Sequence, residues 1–306
     1  MKRHFLLIPH LKLHNSNAMS SPFTIGFPAM TAWLGSVHAI ERKLRAKDLD
    51  IRLIKMAVIC HNFDLQTYKG KKDFVHSIVG TANPLDKDGS RPAFIEEARC
   101  HLEVSLLVEL VGYTPKLRDK LLSEINHIVM SMKVASGDVQ SVWQCEVLSI
   151  DEDSEKYDQD LKRILHKLML GNVLKERKDL MIQSMNESKD AIDALLDYLT
   201  VNHYPSDQKT QDGKTVWQAS RRKTDIEEGR TGWIVPIAVG FQGISPLSEE
   251  KVLNQRDDET PHRFAESVVT LGEFIMPYRA ESIDEILWEY HADLENDLYL
   301  CRNQIS

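Results

Sequence analysis

The sequence predicts an α+β protein whose first 150 residues form a four-stranded antiparallel sheet with two helices on one face. Three observations carry this prediction. Residues 5–13 and 101–111 alternate apolar and polar side chains, the period of a half-buried strand. Two stretches between and after them place apolar residues at helical spacing. Taken in order, the elements read β-α-β-β-α-β. The chain has 306 residues, 42% hydrophobic and 27% charged, which suits a globular core and excludes wholesale disorder, collagen-like structure and a disulfide-rich secreted module.

In the first strand Leu7, Pro9, Leu11 and Leu13 are expected on one face and His10, Lys12 and His14 on the other, with Pro9 favouring an edge or a bulge. A polar loop of small residues, 15–22, leads to Gly26-Phe27-Pro28. The next helix sets Met30, Trp33, Leu34, Val37, Ile40 and Leu44 on one face and ends in solvent at Glu41, Arg42, Lys43 and Arg45. Residues 51–63 are the second strand. Residues 68–96 have no period and are dense in turn formers, so they predict a long excursion of the kind that serves a function.

The third strand sends Leu102, Val104, Leu106, Val108 and Leu110 inward and His101, Glu103, Ser105 and Glu109 outward. Thr114 is expected to cap a helix with Pro115 at its first position and a stripe of Leu117, Leu121, Leu122, Ile125, Ile128, Val129 and Met132. Gly137 ends it, and 139–150 is the fourth strand. Residues 151–230 predict a helical insertion and linker, with Leu161, Ile164, Leu165 and Leu168 in one helix and Ile192, Leu195, Leu196 and Leu199 in another. Residues 231–306 predict a segment packing back on the core. It comprises an irregular strand at 233–244, a helix from Thr260-Pro261 with Phe264, Val268, Leu271 and Ile275 inward, and a last helix opened by a Ser282/Glu285 capping box that carries Ile283, Ile286, Leu287 and Tyr290.

The net charge of −8 conceals a split. Residues 1–72 hold 12 Lys and Arg against four Asp and Glu, whereas residues 73–306 hold 26 against 42. A basic first quarter on an acidic body fits a polyanion on one face and protein partners elsewhere; a solvated basic surface is the plainer alternative. The four cysteines form no C-x-x-C pair, so neither a zinc site nor a disulfide framework is expected. No stretch approaches the ~20 apolar residues of a membrane span, and a cytoplasmic location is expected. The P-loop, dinucleotide-fold, zinc-protease and serine-hydrolase motifs are absent, and no cofactor or metal is expected.

The candidate nucleic-acid contacts are neutral hydrogen-bonding side chains and basic ones. Asn15, Ser16, Asn17, Ser20, Ser21 and Thr24 suit base edges and sugar hydroxyls of single-stranded RNA, and Phe23 and Phe27 suit stacking on bases. Lys12, Lys69, Lys71, Lys72 and Arg263 suit phosphates, with Arg221-Arg222-Lys223 as a secondary basic run. A well-capped connection and a solvated surface loop are the alternatives to these contacts. His10 and His14, flanking Lys12 on one strand face, have the residue types for acid and base in RNA cleavage, with Tyr68 as a further recruit.

Several stretches carry a family resemblance: Ile8-Pro9-His10-Leu11 running into 15–28, then 83–90, 97–107, and Glu259-Thr260-Pro261-His262-Arg263-Phe264 with Leu271-Gly272-Glu273. They resemble the smaller tail subunit, the second Csy protein, of the subtype I-F CRISPR surveillance (Cascade, or Csy) complex. The resemblance implies a RAMP-type protein with an RRM-like, ferredoxin-like core, a projecting thumb at about 68–96 and a helical addition. It also implies a subunit that is not an enzyme. Such a subunit pairs with the large subunit, caps the five-prime handle of the CRISPR RNA, meets a backbone subunit through its thumb, and serves target DNA recognition indirectly, with no membrane. The alternative function is a metal-independent endoribonuclease that processes CRISPR RNA.

Overall fold

One long strand organises the molecule. The structure, a computed structural model, describes residues 2–81, 85, 87–90, 97–209, 212–221, 233–247, 257 and 259–303. In chain order the principal elements are β1 (Lys2–Asn17), α1 (Met30–Arg45), β2 (Arg52–Leu65), β3 (Glu97–Val111), α2 (Arg118–Met130), β4 (Gly137–Ser141), β5 (Glu146–Asp151), α3 (Tyr157–Lys167), β6 (Asn172–Glu176), α4 (Lys178–Met185), α5 (Ala191–Leu199), β7 (Val201–Lys209), β8 (Thr215–Arg221), β9 (Trp233–Gly243), β10 (Ala265–Ile275), β11 (Glu289–Asp293) and β12 (Leu298–Arg302). They make a mixed α/β protein with one large antiparallel sheet in the order β11-β12-β9-β10-β6-β2-β3-β1-β4, and β5 also pairs with β1. The sheet curls back on itself: Met56 of β2 and Trp288, just before β11, exchange backbone hydrogen bonds of 2.9 and 2.7 Å.

β1 lies between β3 on one side and, on the other, β5 along its first half and β4 along its second. It feeds two cores. Leu6, Ile8, Leu11, Leu13 and Ala18 join the core under α1 and α2, while Phe5 and Leu7 join a second core under α3 and the segment at 280–287. The predicted alternation, with Leu7 beside Leu11, does not hold, because Leu7 and Leu11 enter different cores. Two β-bulges against β3, with His10 (φ 49°) and Asn15 (φ 61°) in the left-handed region, each advance the pleat by one residue. Inward positions therefore run 6, 8, then 11, 13, then 16, 18.

α1 buries Met30, Trp33, Leu34, Val37, Ile40 and Leu44, the predicted stripe. α2 follows a 3-10 turn at Pro115–Leu117, and Thr114 caps through its carbonyl, which accepts from the Leu117 amide, rather than through its hydroxyl. The single fourth strand is two strands, β4 and β5. They are separated at 142–145, where the Trp143 amide donates to the Pro9 carbonyl at 3.1 Å across from the first bulge.

The second half departs further from the prediction. β6 enters the main sheet between α3 and α4, and β7 and β8 form a separate hairpin, so 151–230 is not simply helical. α5 buries Ala194, Asp197 and Tyr198 and leaves Ile192 and Leu196 exposed, so its apolar stripe is turned from the expected face. The helix expected from Thr260-Pro261 is strand β10, because β9 and β6 flank it and satisfy its backbone on both sides. The expected Ser282/Glu285 capping box is not closed: the Ser282 hydroxyl accepts from the Glu285 amide, but Glu285 accepts from the Glu281 amide rather than from that of Ser282. The expected helix is only a 3-10 turn at Asp284–Ile286, because the bridge from Trp288 to Met56 draws the chain into β11.

Candidate nucleic-acid interface

The loop after β1 is built around a small hairpin, Met19–Ser21 against Thr24–Ile25, anchored by the Ala18 amide on the Ala98 carbonyl at 2.9 Å. The Thr24 hydroxyl lies 2.9 Å from that of Ser20 and 2.7 Å from that of Ser21, and the Ser21 hydroxyl accepts from the Phe23 amide. These hydroxyls hold the tip together. Ser16, Ser21, Thr24 and Phe27 are buried, which corrects the expectation that they face a ligand. Phe27 packs between Trp33 and Phe274 in the core, with centroids 5.4 and 5.3 Å away. Ser16 is pressed by Gly137, where a Cβ would collide with its hydroxyl. The hairpin presents Pro22, Phe23, which is 77% exposed at the tip, and Ile25, with Ser20 and Asn17 partly exposed beside them. The Asn17 side chain accepts from the Met19 amide.

The excursion after β2 begins as a second hairpin, Thr67–Tyr68 against Ser77–Ile78, and returns to β3 by pairing Gly80–Thr81 with Ala98 and Glu97. Lys69, Lys71 and Lys72 are exposed on it, as are Tyr68, Phe74 and Val75. Residues 82–84, 86 and 91–96 of the predicted thumb lie outside the described residues, as do Arg222 and Lys223. Arg263 is not an open cation: its guanidinium is paired with Asp297.

The outward face of β1, β2 and β3 carries a cluster that the sequence showed only in part. His10 lies between two rings, with His61 at 4.3 Å and Trp143 at 3.8 Å, and its Nδ1 is 2.7 Å from Glu103 Oε1. The other Glu103 oxygen is 3.8 Å from Lys12, and His61 Nε2 is 2.7 Å from the Ser105 hydroxyl. Farther along, His14 stacks on His101 at 4.5 Å, and Gln66 donates to Asn15 at 3.0 Å. The hydrogen bond from His10, helped by the charge of Lys12, lowers the Glu103 pKa from its ordinary value. Burial, and then proximity to His10, lowers that of His61. Periodicity placed His10, His14, His101, Glu103 and Ser105 on this face. It missed His61, the extra residue of a bulge in β2 against β3, and Trp143, which lies in the break between β4 and β5.

Among the described residues no cluster of three or more His, Cys, Asp or Glu side chains is arranged to hold a metal ion, and no helix is long and apolar enough to cross a membrane. All four thiols are free, and burial raises each of their pKa values to about 12.

The family model described as CRISPR-associated protein (Cas_Csy2) matches residues 6–301. The chain belongs to the Csy2 family. CRISPR-associated protein Csy2 of Pseudomonas aeruginosa (strain UCBPP-PA14) is 34% identical to it over 319 residues, which cover 96% of this chain and 93% of that one. The resemblance read from the opening motif is thereby established, and Csy2 membership makes the chain a subunit of the type I-F CRISPR Cascade complex, a protein with partner subunits. The match takes in β1 from Leu6 onward, both hairpins and the histidine face, so the whole candidate interface lies within the family's shared length.

Proposed function

We propose that this Csy2-family chain is a non-catalytic RNA-binding and assembly subunit that, with the large subunit, holds the five-prime handle of the CRISPR RNA for target DNA recognition. The observation that carries the reading is a pair of exposed hairpins springing from β1 and β2, the two strands that flank β3. One is tipped by Phe23 and the other carries Lys69, Lys71 and Lys72, in a segment with 12 basic and four acidic residues. Exposed aromatic and cationic side chains suit single-stranded RNA, whose bases stack and whose phosphates attract Lys. The strand order β2-β3-β1-β4 with α1 and α2 sharing one core supports a ferredoxin-like, RAMP-type core, and the second hairpin is its thumb.

The test is the salt dependence of RNA binding. Replacing Lys69, Lys71 and Lys72 together by Ala should lower the slope of log affinity against log salt by about 2, since each single-strand phosphate contact contributes roughly 0.7. An unchanged slope removes the thumb from the RNA path.

The hydrogen bond between His10 and Glu103 favours a second reading, a metal-independent endoribonuclease, because a carboxylate-held imidazole can move a proton. Cleavage of CRISPR repeat RNA in chelator, abolished by His10→Ala, would establish it. Intact RNA after prolonged incubation leaves the binding role.

A further inference from the structure

We propose that Trp143 is a stacking platform for one unpaired base of RNA, the open end of a ring column built across the sheet face. The proposal rests on the RNA-binding reading above and adds a subsite that neither hairpin supplies.

The column runs His61, His10, Trp143, with centroid spacings of 4.3 and 3.8 Å and interplanar angles of 22° and 28°. Its inner members are fixed. His61 is hydrogen-bonded to Ser105, which also accepts from the His10 amide at 3.0 Å, and the His10 ring is held by Glu103. Trp143 is fixed at its backbone by the bond to the Pro9 carbonyl, yet its side chain is 58% exposed. An indole stacked on an imidazole and still more than half exposed is a rigid, prepaid surface for a further ring, and a nucleobase has the matching π-face whatever its sequence. The surround is polar: Lys12 is half exposed and reaches toward this face, and Glu103 is already engaged by His10 and Lys12. Such a rim suits a base with a phosphate beside it and does not suit the apolar face of a protein partner. The bulge at His10 and the break between β4 and β5 lie opposite each other, and together they turn Trp143 onto the sheet face.

The test uses the full chain, alone and with the large subunit, and a fluorescently labelled single-stranded RNA of the handle sequence. A matched set of RNAs carries one abasic position each. Trp143→Ala should weaken binding about 5- to 100-fold, the range for losing one stacked base, and Trp143→Phe should restore most of it. A single abasic position should reproduce the loss, and on that RNA Trp143→Ala should add nothing. Trp143→Ala binding within twofold of the unsubstituted protein, or losses that add at every abasic position, would overturn the subsite and leave RNA binding standing. A variant with intact RNA affinity that no longer retains the large subunit would instead assign Trp143 to a protein contact and overturn it too. If the unsubstituted protein binds no RNA in either form, the functional reading fails, and the subsite with it.

Discussion

Arg3 shows how one residue near the chain start ties the fold together. Its guanidinium meets Glu109 of β3 at 2.7 Å, Asp284 at 2.8 Å and Glu152 at 3.0 Å, and Arg3 and Glu109 are each about nine-tenths buried. Burial alone would lower the Arg3 pKa, but hydrogen bonds to Asp284 and Glu109 outweigh it and raise the value, so the cation is permanent. Removing it strands a buried carboxylate. Arg3→Met is expected to lower stability by about 3–5 kcal/mol in chemical denaturation, and a second change, Glu109→Leu, should recover most of that. A neutral Arg3→Met would show the pair to be incidental. The same contact sets an acid limb. The hydrogen bond from Arg3 holds Asp284 below its ordinary value of 3.8, so the stabilisation is complete above that value and lost as pH falls through the lower, folded one. Arg3→Met should lack that part of the acid transition. None of this was legible in sequence. Arg3 reads as a terminal basic residue, and its partners lie 106, 149 and 281 positions away.

At the scale of elements, legibility follows the range of the interactions. α1 and the inward face of β3 came straight from periodicity, because each meets one apolar core along its whole length. β10 did not. Its Val268, Leu271 and Ile275, with Phe264 just before it, fit a helical spacing, but residues far off in the chain pair with both its edges. The bulges in β1 were foreshadowed by Pro9 alone, and the bulge at His61 in β2 and the break at Trp143 had no sequence signal, so the histidine face was seen without these two rings. The burial of Ser16, Ser21, Thr24 and Phe27 was missed because small polar residues in a loop look alike whether they face water or one another. The approach of β4 to β1 depends on Gly137, where a Cβ would meet the Ser16 hydroxyl and stand 3.0 Å from the His14 carbonyl. Gly137→Ala should therefore cost about 1–3 kcal/mol by forcing the strands apart, with faster amide exchange in the second half of β1 as the local readout. A loss no larger than that of a surface substitution would mean that the pair adjusts freely.

On the scale of the whole molecule, the curled sheet joins the chain's two ends. β6 extends the sheet from β2 and strands from the last quarter continue it, and the bridge between Trp288 and Met56 brings the chain back to β2. The Trp288 indole donates to the Leu174 carbonyl at 2.8 Å, so the return is fixed by a buried side chain as well as by backbone. The basic first quarter, with both exposed hairpins, is thus mounted on a frame completed by acidic later segments. That division suits a protein that meets RNA on one side and other subunits elsewhere. The most direct measurement is site-resolved crosslinking of the assembled CRISPR complex, with 4-thiouridine placed at each position of the five-prime handle and adducts located by peptide mass spectrometry. Adducts within residues 10–30 and 66–81 of this chain are the predicted result. A handle crosslinked throughout to other subunits, with none of its positions attached to these segments, would contradict the account.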